Sequence, residues 1–202
     1  MTSTRWWWIR HAPVRNQEGR IYGRRDVACD LSDTDAIAAL AAVLPEPAIW
    51  LSSPLSRTRD TAEALAALRP GPRTDLLIEP DLIEQDFGAW QNRPYAEITE
   101  EFGGERHPVW FAPAHVTPEG GESFADTMLR VTAAVERLIR AHEGRDIVAV
   151  AHAGVIRAAI AHALDLDPEA ALRLAIDPLS LTRLDRLPGG DVWRVVAVNQ
   201  KA

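Results

Sequence analysis

Apolar residues fall along this chain in two rhythms. Short unbroken runs stand at 5–9 (RWWWI), 48–53 (AIWLSS) and 146–151 (DIVAVA). They read as strands buried on both faces, the pattern of a parallel sheet covered by helices on each side. Between them the spacing turns helical. Ser32, with Asp35 three residues on as a capping box, starts a helix that runs through 36–44 to Pro45. Pro54 opens a second over 54–68. Glu122 opens a long one whose apolar positions are Phe124, Met128, Val131, Val135 and Leu138, and another follows His152 over 154–164. Residues 76–84 read as a short strand leading into a loop and a polar helix near 94–102, while 103–121 is irregular. Two last strands, 180–187 and 193–198, flank a hairpin-like LPGGD turn. Strands alternating with helices predict an α/β three-layer sandwich, a mostly parallel central sheet with right-handed crossovers and flanking helices. No repeat or linker interrupts the chain, so 1–202 is expected to form one domain.

Composition narrows the function classes. With 202 residues the chain is long enough to bury a substantial core. A net charge of -7 argues against a general nucleic-acid or anionic-membrane surface, though not against a local cationic pocket. One cysteine, Cys29, excludes an intrachain disulfide framework and a multi-cysteine zinc cluster, and suits a reducing compartment. The apolar run after Arg5 is too short for a signal-peptide core, and no segment reaches the length of a membrane span. A soluble, cytoplasmic protein with neither nucleic acid nor membrane as partner is expected; association into a homodimer stays open.

The candidate chemistry collects at strand ends. The first run stops at Arg10 and His11, the second leads to Arg57, the third stops at His152, and 76–84 ends in Glu84. Taken singly, His152 reads as a core histidine, Arg57 as a solvated helix residue and Glu84 as a loop charge. A parallel sheet, however, gathers its ligand groups beyond the carboxyl ends of its strands, so the set belongs together. Two arginines match phosphate oxygens, a neutral histidine is a nucleophile, a second histidine, when protonated, adds positive charge where the transferring group spreads its negative charge, and a carboxylic acid protonates a leaving alkoxide. Phosphoryl transfer through a phosphohistidine uses all five. A helix N-terminus after Ser53 or at Gly154 adds backbone amides for an anion. Rivals fit less well: no P-loop is present, Asp35 stands where a cysteine phosphatase needs arginine after Cys29, DTDAI at 33–37 opens a helix instead of following a strand, and no HExxH or His/Asp cluster suggests a metal.

These residues resemble the histidine phosphatase superfamily, which includes the cofactor-dependent phosphoglycerate mutases. Arg10-His11-Ala12 stands where the family has RHG, and Ser53-Pro54-Leu55-Ser56-Arg57 matches its SxLxR. Leu82, Glu84 and Gly88 match LxExxxGxxxG, with Gln91 and Asn92 near its final glycine; PEGGESF resembles its PGGES helix start and AVAHAGVIRA its second histidine block. The blocks occur in family order over residues 5–160. The resemblance implies a phosphoglycerate mutase-like fold, His11 as the phosphorylated nucleophile, Glu84 as proton donor, and Arg10, Arg57 and His152 as holders of the phosphoryl group, with no metal or other cofactor. Ala12 departs from the usual glycine and costs energy if that position needs a positive φ.

A small phosphorylated metabolite is the expected substrate. The mutases carry a longer, more basic middle insertion, whereas residues 90–121 offer Arg93, Arg106 and His107, so a phosphatase is favoured. Within that branch the resemblance points first to an α-ribazole 5′-phosphate phosphatase of cobalamin biosynthesis, then to a broad phosphomonoesterase. A phosphoglycerate mutase and a non-catalytic phosphate-binding module are the alternatives. Asn16, Tyr22, Arg24 and Arg25 are candidate leaving-group contacts; Trp90, Trp110 and Phe111 are candidate walls of an aromatic pocket. His11 is expected to act neutral and His152 protonated, which predicts a bell-shaped pH profile.

Overall fold

The computed structural model describes residues 2–15, 19–69, 75–102 and 110–201. Its centre is a six-stranded sheet in the order β3-β2-β4-β1-β5-β6. Here β1 is Thr4–Arg10, β2 Ile49–Ser52, β3 Leu76–Ile78, β4 Asp146–Ala151, β5 Leu181–Arg186 and β6 Trp193–Gln200. The first four in chain order run parallel, and β5 and β6 are antiparallel additions on the β1 side. Among the described residues the α-helices are α1 Thr34–Val43, α2 Ser56–Ala67, α3 Tyr95–Glu101, α4 Phe124–Ala141, α5 Ala153–Leu164 and α6 Pro168–Ala171.

Alternation along β1 divides the layers. Trp6 and Trp8 point to one face, stacked with ring centroids 4.7 Å apart, and meet Val131, Val135 and Leu138 of α4 and Ile156 and Ile160 of α5. Ile9 points to the other, with Leu40 of α1, Leu65 of α2, Trp50 and Val150. A smaller cluster of Ile21, Phe87, Trp90, Ile98 and Phe111 packs separately, built mostly from the segments that follow β3. Among the described residues no helix is long and apolar enough to cross a membrane.

Element boundaries differ from the sequence pattern for local reasons. The first helix is capped by Asp33, whose carboxylate accepts from Ala36 N, and not by Ser32. Pro54 lies outside α2, which begins at Ser56. β3 stops at Ile78, because Pro80 lacks the N–H a strand ladder needs and starts a 3₁₀ turn over Pro80–Leu82. The long helix begins at Phe124 under a Ser123–Asp126 capping box, leaving Glu122 outside it.

Candidate active site

Strand register assembles the centre. Arg10 of β1 pairs with Ala151 of β4, so His11 and His152 leave the sheet side by side, with His11 N donating to Ala151 O at 3.0 Å. Their rings meet edge-on, centroids 5.2 Å apart, and both are buried. His11 Nδ1 lies 2.7 Å from its neighbour's carbonyl, Ala12 O. That carbonyl can only accept, so Nδ1 carries the hydrogen and Nε2 keeps its lone pair. Ala12 keeps a negative φ, since the left-handed non-glycine residues are Asn92, Asp165, Leu179 and Asn199. Its N–H donates to Thr61 of α2 at 3.0 Å, and its methyl joins the core beside Ile9. Alanine in place of glycine therefore carries no backbone strain here. Asn92, at the family's final glycine, adopts φ 70°, which asparagine tolerates better than most residues.

Both histidines are held neutral. Burial is the main cause of their pKa values lying well below the usual 6.5, and the charges of Arg57 and Arg10 add to it. His152 is thus neutral in the unliganded protein, not protonated as expected from sequence, because full burial disfavours its charge and two fixed guanidinium groups add to that. Its Nε2 lies 2.8 Å from Ser53 Oγ, which in turn contacts Thr58 Oγ1 at 2.8 Å. A Ser53 hydroxyl donating to Nε2 puts the ring hydrogen on Nδ1, so neutral His152 still offers one N–H.

The arginines are anchored on one side and open on the other. Arg57 is fully buried and donates to Gly23 O (2.7 Å) and Arg25 O (2.8 Å), with the Tyr22 ring 5.1 Å from its guanidinium carbon. Arg10 donates to Ile176 O at 2.5 Å, while its backbone bonds Leu179 and Ser180. Leu179 pays for that clamp with φ 53°, a left-handed conformation unusual for leucine. Arg10 Nε, Arg57 Nε and His152 Nδ1 are buried and have no hydrogen-bond partner among the described residues. Buried donors are nearly always satisfied, so three left over beside His11 mark a candidate anion site.

Glu84 sits at the edge of this cluster against the start of α5. A Cβ on Gly154 would lie 2.5 Å from Glu84 Oε1, so Gly154 makes room for the carboxyl. The segment carrying Glu84 is tied by its carbonyls. Arg130 donates to Asp81 O (2.6 Å) and Ile83 O (3.0 Å), and Arg24 donates to Glu84 O (3.1 Å). Glu122 joins the two, accepting from Arg24 (2.8 Å), Arg130 (2.6 Å) and Asp86 N (3.0 Å). Gly88, at φ 45°, lets this segment touch residues 119–121 backbone to backbone.

Several sequence assignments shift accordingly. Arg24 and Arg25, expected as leaving-group contacts, instead hold the loop, Arg25 through Asn92 Oδ1 at 2.5 Å. Trp90 and Phe111, expected as pocket walls, are 8% and 7% exposed core residues; of that trio only Trp110 is half-buried. Arg93 pairs with Glu97 and Glu101. Asn16, Arg106 and His107 lie outside the described residues. Sequence reasoning missed Ser53, Arg130 and Glu122 as supports, since their partners are distant in the chain. Among the described residues no three His, Cys, Asp or Glu side chains gather as metal ligands.

The family model of the histidine phosphatase superfamily (branch 1) matches residues 6–201. The chain belongs to that superfamily. It is 30% identical over 148 residues to phosphoserine phosphatase 1 of Hydrogenobacter thermophilus, covering 71% of this chain and 68% of that one. A bifunctional protein of Mycobacterium tuberculosis is 34% identical over 154 residues, 74% of this chain but 41% of its own length. The chain thus matches under half the length of that relative. Among solved structures, a mycobacterial glucosyl-3-phosphoglycerate phosphatase superposes with a TM-score of 0.81 at 27% identity, over 98% of this chain and 99% of that one.

Proposed function

We propose that this histidine phosphatase hydrolyses phosphomonoesters through a phosphohistidine on His11, without a metal. The observation that carries this is the ring of unpartnered buried donors, Arg10 Nε, Arg57 Nε and His152 Nδ1, around a histidine whose Nε2 is unprotonated. Nε2 attacks phosphorus, the bond to the ester oxygen breaks, and Glu84 gives that oxygen its proton. Arg10, Arg57 and His152 hold the charge on the transferring oxygens. Water then attacks the phosphohistidine, returning its proton to Glu84 and releasing phosphate from His11.

A small phosphorylated metabolite remains the substrate class in this reading. The α-ribazole 5′-phosphate assignment rests on family resemblance, and the aromatic trio gives it less support now that Trp90 and Phe111 lie in the core. A pure binding module has no use for Glu84 placed and braced as it is. The test is phosphate release from p-nitrophenyl phosphate in excess EDTA, beside His11→Ala, with acid-labile, alkali-stable phosphate on the protein followed after rapid quenching. Turnover that survives EDTA, with label on the native chain and loss of at least about 10³-fold in the variant, is expected. Undiminished turnover in His11→Ala overturns the nucleophile assignment; isomerised ester in place of free phosphate makes the enzyme a mutase.

A further inference from the structure

Arg157 lies one turn into α5, beyond Gly154, and is 8% exposed. Its Nε donates to Leu174 O at 2.8 Å, and its guanidinium carbon sits 4.8 Å from the centre of the Trp110 ring. Nη1 is buried and has no hydrogen-bond partner among the described residues, and no carboxylate among them lies within ion-pair distance. A buried guanidinium edge left unmatched is destabilising unless a ligand completes it. The groups whose charges act on Arg157 are Glu84, Arg10 and Tyr95. Glu84 is the proton donor to the ester oxygen, so Arg157 stands on the leaving-group side of the site. Tyr95, Phe111 and Trp110 form one aromatic run there, with successive centroids 5.1 and 4.9 Å apart. Tyr95 is 37% exposed, yet partial desolvation of its phenol beside that cluster raises its pKa to about 12, so it stays a neutral donor.

We propose that Arg157 binds a carboxylate on the leaving group, making the enzyme selective for small phosphorylated carboxylic acids. This deepens the phosphatase reading and rests on its placement of Glu84. With Glu84 acting as the acid, no other carboxylate among the described residues lies within ion-pair distance of Arg157 or Arg10. A substrate carboxylate supplies one, and its two oxygens suit a guanidinium edge better than a hydroxyl does.

The test compares two esters of nearly equal shape, 3-phosphoglycerate and glycerol 3-phosphate, which differ by a carboxylate in place of a hydroxymethyl group. Native protein is expected to favour the acid by about tenfold or more in kcat/KM. In Arg157→Met that preference collapses through a higher KM for the acid, and Arg157→Lys falls between. Equal rates on the two esters in native protein that turns over p-nitrophenyl phosphate overturn the carboxylate subsite and leave the phosphatase reading standing. No turnover of any ester overturns the phosphatase reading itself. A preference that persists in folded Arg157→Met assigns it elsewhere and also overturns the proposal. Should Arg157→Met fail to fold, the native pair of rates still decides. A 2,3-bisphosphate ester preferred over both would make the second anion a phosphate and overturn the carboxylate.

Discussion

The two ends of the sheet use the same side chains differently. At the amino end of β1 and β4, Arg5 pairs with Asp146, which also accepts from Trp7 Nε1 at 2.9 Å. Arg186 donates to Glu136 (2.9 Å), Gly190 O (2.8 Å) and Asp191, so each of its nitrogens has an acceptor. A cavity of 410 Å³ opens at that end, but Arg186 and Glu136 on its wall are already bound to each other. At the carboxyl end, Arg10, Arg57 and Arg157 each keep a buried nitrogen without a partner among the described residues. Among the described residues, every nitrogen of Arg186 thus has an acceptor, while each of the three arginines at the other end leaves one buried nitrogen unmatched.

Replacing Arg57 should break the contrast most. Arg57→Ala is expected to lose about 10²–10³-fold in kcat, the usual cost of one charge-stabilising donor. It should also lose the thermal stabilisation that inorganic phosphate gives the native protein. A melting temperature that still rises with phosphate in the variant would show that the anion binds elsewhere.

Next in size is the pH dependence of stability. Histidine has a pKa near 6.5 when unfolded, and folding holds His11 and His152 well below it. Below that value the unfolded chain binds protons that the native one refuses. Stability is therefore full above about pH 6.5 and falls as pH drops, by about 1.4 kcal/mol per pH unit for each residue. Urea titrations at pH 7 and pH 5.5 should show this loss, and His152→Gln should remove about half of the slope. The activity profile changes too: with both rings neutral, the acid limb lies well below pH 6.5 and not across neutrality.

The smallest effect belongs at the opposite end. Arg186→Met should cost about 1 kcal/mol of stability, because Glu136 keeps His162 as a partner and Asp191 is exposed to water, while kcat/KM of folded protein stays within about twofold. A larger loss of activity would mean that the two ends are coupled.

Much of this was legible in the chain. The runs before Arg10 and His152 announce buried strands because a parallel sheet covered on both sides needs apolar residues at every position, and a strand end is where a ligand site must lie. That reasoning brings His11, His152, Arg10, Arg57 and Glu84 to one edge, and the structure does place them together. Local chemistry was harder to assign. Asp33 outcompetes Ser32 as a cap and Pro80 cuts β3 short, both matters of one hydrogen bond that periodicity does not register.

Tertiary structure alone decided the rest, because charge state and hydrogen-bond completion depend on neighbours far away in sequence. Nothing in AVAHAG says that His152 will be neutral; the enclosure it shares with Arg10 and Arg57 does. Nothing in GGES says that Glu122 will bridge Arg24 and Arg130 behind Glu84 instead of merely opening a helix. RHA in place of RHG looked costly on paper, and the backbone at Ala12 proved to need no left-handed conformation. The alternation of strands and helices determines which residues arrive at the edge, and packing determines which of their protons and lone pairs are left for a ligand.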